Sequence, residues 1–420
     1  MKLAGPTLLN LIGLGLPMLL GLALIPSLLL GLGGSRFGVL ALLWTVAAYF
    51  GLFDFGLSRA LTQAVARCRA AGDAAAARGV ARVGLWVLGL GGVVLGLVLA
   101  AVAPWVVGSW QQVPEPDRAI LALRVLALGL PGFILSSGYR GVLEGAQAFK
   151  ALNLLRLPMG AWTFLGPWLA LQIWGPDLVA VAWMLMAGRW LACLAHAAVV
   201  ARVLGRGPVT PPDARGLLVA SGWLSVVAGV NPLVAAADRF ILGALASAHA
   251  VAQYVTPQEL VTKLSVLPAA LTSALLPQWV QAGPVGAKQA LLRALRPLLY
   301  LVLPPLLVLA MVAEPFLQWW LRAAFEPGIV PVLQVLCVGV GLNALGYLPS
   351  TWLQACGDFR SLAWVQLALL PPYVLLMWWL CQRHGALGAA ASWTLRMGAD
   401  AAWLWLRALR TQPAPSEAQP

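Results

Sequence analysis

Residues 231–245 read NPLVAAADRFILGAL. Asp238 and Arg239 stand inside a run that is otherwise almost wholly apolar. The meaning of that pair turns on whether the segment crosses a membrane, and composition decides this. The chain has 420 residues, of which 61% are hydrophobic and 10% charged. Average soluble domains carry about 25% charged residues. No polar run is long enough to cover so much apolar surface, so the sequence specifies an all-α polytopic membrane protein. Its 20 Trp fit the same reading, because indole rings favour the headgroup boundary.

Apolar runs of about 20 residues, the length that crosses the hydrocarbon, are separated by charge clusters and Pro/Gly turns. They predict about 12 transmembrane helices, near 7–32, 38–62, 82–108, 119–141, 151–173, 178–201, 217–244, 250–279, 297–320, 330–354, 361–382 and 385–407. The run from Thr7 to Gly34 is too long for a signal peptide and is read as an uncleaved first span. With the N-terminus inside, 17 Lys and Arg fall in cytoplasmic segments, and only Arg36, Arg118, Arg322 and Arg383 fall outside. The positive-inside rule therefore places both termini in the cytoplasm. It also accounts for most of the net charge of +13, which argues against a nucleic-acid partner. The five Cys show neither disulfide nor metal spacing.

A repeat organises the spans. Residues 123–157 align without a gap on residues 333–367, an offset of 210 residues. Leu123/Leu333, Val125/Val335, Gly129/Gly339, Leu143/Leu353 and Leu157/Leu367 are identical, and Lys150/Arg360 keeps its charge. An even number of spans separates the copies, so the repeat is parallel, about an axis along the membrane normal. Transporters are commonly built from such halves, with the substrate site between them. The expected organisation is an N-terminal six-helix lobe (1–204), a cytoplasmic linker (205–216), a C-terminal six-helix lobe (217–408) and a disordered cytoplasmic tail (409–420).

Charges inside the spans cost at least about 2.5–3.5 kcal/mol each on insertion scales and usually face a cavity or a partner. Arg59, Arg239, Lys263 and Arg396 are the candidate substrate-binding bases; Asp54, Asp238, Glu259 and Asp400 are candidate pairing or coupling acids. Glu259 and Lys263 are four apart, acid first, the favourable order for a helical ion pair. Arg396 and Asp400 share that spacing. Asp238 and Arg239 point about 100° apart on a helix, so each is better placed to bond across to another helix than to its neighbour. A basic cavity suits an anionic cargo, because the arginine fork matches phosphate oxygens and stays charged when desolvated. Arg124 and Arg189 read as bases snorkelling to an interface, and His196 and His249 as interface residues.

Four stretches together resemble a known family. RFGVLALLWTVAAYFGLFDFGLSRALTQAVAR (36–67) contains Phe37-Gly38 and Asp54-Phe55-Gly56-Leu57, and GYRGVLEGAQAFKALNLLR (138–156) contains an Arg-Gly-x-Leu-Glu-Gly loop. The third, 237–278, carries Asp-Arg-Phe and a Tyr-containing span, and the fourth, GALGAAASWTLRMGADAAWL (385–404), ends in Arg and Asp. They are similar to the polysaccharide (O-antigen) flippases of the multidrug/oligosaccharidyl-lipid/polysaccharide exporter superfamily, over almost the whole chain. The resemblance implies a V-shaped, MATE-like pair of six-helix bundles in the bacterial inner membrane. It implies that an undecaprenyl-pyrophosphate-linked oligosaccharide moves from the cytoplasmic to the periplasmic leaflet by alternating access, for surface polysaccharide biosynthesis. A proton or sodium gradient is the candidate driving force. The expected partners are the lipid-linked oligosaccharide, membrane lipids and polysaccharide polymerase machinery, around a monomer without cofactor or metal.

Three alternatives stand beside this reading. A lipid II flippase usually has two further C-terminal helices. An ion-coupled multidrug antiporter would be expected to have a net acidic cavity, whereas bases here at least equal acids. A membrane-embedded polymerase or ligase typically needs a sizeable outer loop, and every loop is short. No Ser/His/Asp constellation, metal box or phosphate loop is present, so no enzyme is expected.

Overall fold

A computed structural model of the protein describes residues 19–49, 57–205, 207–210, 237–272, 275, 287–356 and 358–410. The chain divides into two compact units, Met1–Ala236 and Ala237–Pro420. The expected linker 205–216 falls partly outside the described residues, and so do residues 411–420 of the expected tail. All regular structure among the described residues is helical.

The first unit contains α1 (Leu19–Leu32), α2 (Gly34–Tyr49), α3 (Leu57–Ala70), α4 (Ala74–Gly108), α5 (Pro116–Leu128), α6 (Leu130–Gly145), α7 (Phe149–Trp174) and α8 (Leu178–Leu204). In α3 the buried residues Leu57, Ala60, Leu61, Ala64 and Val65 form one apolar stripe at helical spacing. That stripe packs on α6 and α4. Close approach of α3 and α6 depends on Gly141 and Gly145, four residues apart on α6. A Cβ on Gly141 would lie 2.3 Å from the Ser58 carbonyl oxygen, and one on Gly145 would lie 2.6 Å from that of Thr62. Small residues at this spacing let membrane helices pack backbone to backbone. Gly129 divides the span Pro116–Gly145 into α5 and α6.

The second unit contains α9 (237–245), α10 (Ala248–Val261), a 3-10 turn (Thr262–Ser265), α11 (266–272), α12 (Ala287–Met311), α13 (Ala313–Leu321), α14 (Ile329–Ala355) and α15 (Phe359–Arg410). Gly385 breaks α15 into two arms, with φ of 51°. In the first unit Gly175, φ 73°, ends α7 and Asp177 caps α8 by accepting from Val179 N at 2.9 Å. The 210-residue offset of the sequence repeat carries Gly175 onto Gly385, so the two turns correspond. Only glycine enters this left-handed region without penalty. Six helical segments among the described residues are long and apolar enough to cross a membrane, and the last, Trp364–Arg410, contains both arms of α15. The expected count of twelve therefore stands as an expectation, within a fold that is all-α and membrane-spanning.

The repeat extends to individual hydrogen bonds. Arg124 Nε donates to the Ala100 carbonyl at 3.3 Å, and Gln334 Nε2 donates to the Ala310 carbonyl at 3.2 Å. Both pairs are related by the same offset. Each carbonyl has lost its helical donor: Ala100 because Pro104, four residues on, has no N–H, and Ala310 because α12 ends at Met311. Arg124 is thus a helix-to-helix donor, and the snorkelling read from sequence is an incomplete account of it. His196 also departs from expectation. It is buried, with Nδ1 2.7 Å from the Ala192 carbonyl. All five cysteines are free thiols.

Candidate functional site

The charges singled out in the second unit converge through the turn between α9 and α10. Ser247 caps α10, its hydroxyl accepting from Ala250 N at 3.0 Å. With only Ala246 and Ser247 between the helices, α10 folds back beside α9. Tyr254 and Gln258 then lie on one face of α10, four residues apart, within reach of Asp238.

Asp238 is only 1% exposed. Its carboxylate accepts from Tyr254 OH at 2.6 Å, from Gln258 Nε2 at 3.0 Å and from the Arg239 backbone N at 2.8 Å. A buried carboxylate needs such donors, because an unpaired charge in a low-dielectric interior is very costly. Arg239 bonds elsewhere. Its Nε and NH2 both donate to Gln258 Oε1, at 3.1 and 2.9 Å, and NH2 also reaches Glu259 Oε1 at 2.8 Å. The adjacent spacing argues against a direct pairing of the Asp238 and Arg239 side chains. The Gln258 amide stands between them, its nitrogen on Asp238 and its oxygen on Arg239. Those two neighbours leave the amide only one sensible orientation.

Glu259 joins two bases. Lys263 Nζ lies 2.9 Å from its other oxygen, as the i,i+4 spacing implied. The Lys263 side chain is 40% exposed against 19% for Glu259, so the cluster presents a cation outward. Arg396 and Asp400 do not pair directly. Arg396 NH2 donates to Gln366 Oε1 at 3.0 Å, and Gln366 Nε2 donates to Asp400 Oδ1 at 3.1 Å. The Arg396 guanidinium sits 4.8 Å from the Tyr373 ring centroid, and its Nε is buried without a hydrogen-bond partner. Helix α10, which carries Gln258 and Glu259, packs on α15, which carries Gln366, Tyr373, Arg396 and Asp400, so the two networks lie on adjoining helices of this unit.

The remaining candidates fall elsewhere. Arg59 is exposed on α3 of the first unit and joins no ion pair among the described residues, although the expected span 38–62 placed it within the membrane. Asp54 lies outside the described residues. Gln258, Gln366 and Tyr373 carry no formal charge to mark them in the sequence, and Tyr254 is marked there only as the Tyr of the span that resembles the family. A polar residue four positions before Gln258 on an apolar helix was the available signal. His249 pairs with Glu326 at 2.9 Å, and Gln253 supports the same carboxylate at 2.8 Å.

Residues 6–282 match a family model described as polysaccharide biosynthesis protein. The chain belongs to this family. The matched region includes Asp238, Arg239, Glu259 and Lys263 and stops short of Arg396 and Asp400. A candidate O-antigen transporter of Shigella flexneri is 26% identical over 405 residues, covering 95% of this chain and 96% of that protein. Among solved structures, an inward-facing multidrug resistance MATE family transporter of the MOP superfamily superposes with a TM-score of 0.77. It is 17% identical and covers 95% of this chain and 98% of its own. A MOP superfamily transporter from Pyrococcus furiosus, described as having a binding pocket of reverse polarity, gives a TM-score of 0.67 at 17% identity, over 96% of this chain and 93% of its own. At such identities the structural likeness carries the fold, which is MATE-like. The Shigella protein and both structures are named as transporters, which sets this family member among membrane transporters and apart from enzymes.

Proposed function

We propose that this family member moves an undecaprenyl-pyrophosphate-linked oligosaccharide from the cytoplasmic to the periplasmic leaflet of a bacterial inner membrane. The Arg239–Glu259–Lys263 cluster, with Arg396 on the adjoining helix, is the observation that carries the reading. Asp238 spends its capacity on Tyr254, Gln258 and a backbone N–H, and Glu259 is shared by two bases. The groups left with open donor capacity are therefore cationic: the half-exposed Lys263 and the Arg396 Nε. These are suited to phosphate oxygens, whose bonds to arginine are short and charge-assisted. Family membership and the name of the Shigella relative support a saccharide cargo.

Alternating access exposes the head-group site first to one leaflet and then to the other. The lipid tail remains in the bilayer, and both termini are cytoplasmic. Acids such as Asp400, whose hydrogen bond among the described residues comes from the neutral Gln366, are the coupling candidates for a proton or sodium gradient. The test is export of surface polysaccharide in cells carrying Arg396→Ala or Lys263→Ala in place of the wild type. Loss of export with normal membrane insertion supports the reading. Wild-type export from both variants sinks it.

A further inference from the structure

The first unit carries a groove that the proposed transport does not use. An apolar cavity of about 600 Å³ is lined by Trp86, Leu90 and Val93 of α4, by Leu135 of α6 and by Trp190 of α8. It shares Leu85, Trp86 and Tyr139 with a second cavity of about 510 Å³, which ends at Arg78 and Arg82. No acid among the described residues lines either cavity. The combined shape is amphipathic, with an apolar trough and two bases at one end.

We infer that this groove binds one anionic phospholipid, its phosphate at Arg82 and Arg78 and one acyl chain along α4. Arg78 and Arg82 are four residues apart and so share a helix face. Arg78 is fixed in place, Nε donating to the Pro208 carbonyl at 2.9 Å and NH1 to the Leu204 carbonyl at 3.1 Å. Arg82 is exposed and makes no hydrogen bond or ion pair among the described residues. One anchored and one free guanidinium form a fork for a phosphate diester. Tyr139, at the junction of the cavities, also makes no hydrogen bond among the described residues, so its hydroxyl is open to an ester carbonyl. Length agrees too. From Arg82 to Val93 along α4 is about 16 Å at 1.5 Å per residue. One leaflet of hydrocarbon is about 15 Å, half of the ~30 Å core. The trough therefore matches a single acyl chain running inward from a headgroup at the membrane surface.

Native mass spectrometry of the purified full chain tests this, titrating phosphatidylglycerol and phosphatidylcholine of equal chain length. The wild type should retain phosphatidylglycerol about fivefold better, the factor for about 1 kcal/mol from one base near an anionic headgroup. Arg82→Ala should bring phosphatidylglycerol down to the phosphatidylcholine level. Gly89→Leu, which fills the floor beside Leu135, should weaken both lipids. Arg202→Ala, an exposed base that lines neither cavity, should retain phosphatidylglycerol as the wild type does. Free glycerol phosphate in millimolar excess should not displace the lipid, because the trough holds the chain. Equal retention of the two lipids, an Arg82→Ala variant with undiminished preference, or displacement by glycerol phosphate would each overturn the inference. So would a stronger preference for undecaprenyl phosphate, which would make the groove a carrier-lipid site.

Discussion

Arg239 donates to two residues of α10, and both contacts exploit the shape of a guanidinium. Nε and NH2 grip one amide oxygen while NH2 reaches a carboxylate. Lysine is a point charge on a flexible stem and cannot reproduce that fork. Arg239→Lys should therefore insert and fold but export polysaccharide at least about tenfold more slowly, a loss of roughly 1.4 kcal/mol in productive binding. Wild-type export from the lysine variant would show that charge alone suffices. Tyr254→Phe addresses the layer beneath. It removes the 2.6 Å donor to a carboxylate that is 1% exposed. Loss of a hydrogen bond to a buried charge costs about 1–3 kcal/mol, so the melting temperature should fall measurably, and an unchanged melting temperature would count against the network as drawn. The charged members of this network were legible in the sequence. Its neutral members were not: Gln258 and Gln366 carry no charge to flag them, yet each stands between an acid and a base that spacing alone would pair directly or leave apart.

Elements are fixed by close backbone approach and by carbonyls in need of donors. The Cβ of Gly141→Ala would meet the Ser58 carbonyl of α3, whereas one at Gly91 meets nothing within 4 Å. Overpacking of this kind typically costs 1–3 kcal/mol. Gly141→Ala should therefore lower the melting temperature while Gly91→Ala leaves it in place; equal effects would mean that α3 and α6 are less tightly packed than described. At the turn before α15, Asp358 accepts from Arg407 at 3.0 Å and from Ser361 N at 3.2 Å. Burial opposes ionisation of Asp358, but the hydrogen bonds from Ser361 and Arg407 outweigh it and hold the carboxyl below its ordinary value of 3.8. A carboxyl lowered on folding contributes stability that is complete above the unfolded pKa and disappears as pH falls through the folded one. The stability gap between wild type and Asp358→Asn should accordingly be constant at neutral pH and close on acidification through that range. A gap that widens in acid would contradict the sign. The pairing of Gly175 with Gly385 follows from the repeat visible in the sequence. The split of one expected span into α5 and α6, and of another into α12 and α13, does not, because hydropathy continues across Gly129 and Val312 while the helical hydrogen bonding does not.

Across the whole molecule, composition determined the class and the motifs determined the family, because both signals are spread over most of the chain. The proposed cargo chemistry rests on a few side chains of the second unit. In the proposed transport those side chains take an anionic lipid-linked head group from one leaflet to the other. The most direct measurement is leaflet exposure of a labelled lipid-linked oligosaccharide in liposomes containing the purified protein, beside liposomes containing Arg239→Ala. The account predicts rapid exposure of inner-leaflet label with the wild type and exposure near the protein-free rate with the variant. Exposure by neither protein, with both folded and proton and sodium gradients imposed in turn, or equal exposure by both, would contradict it.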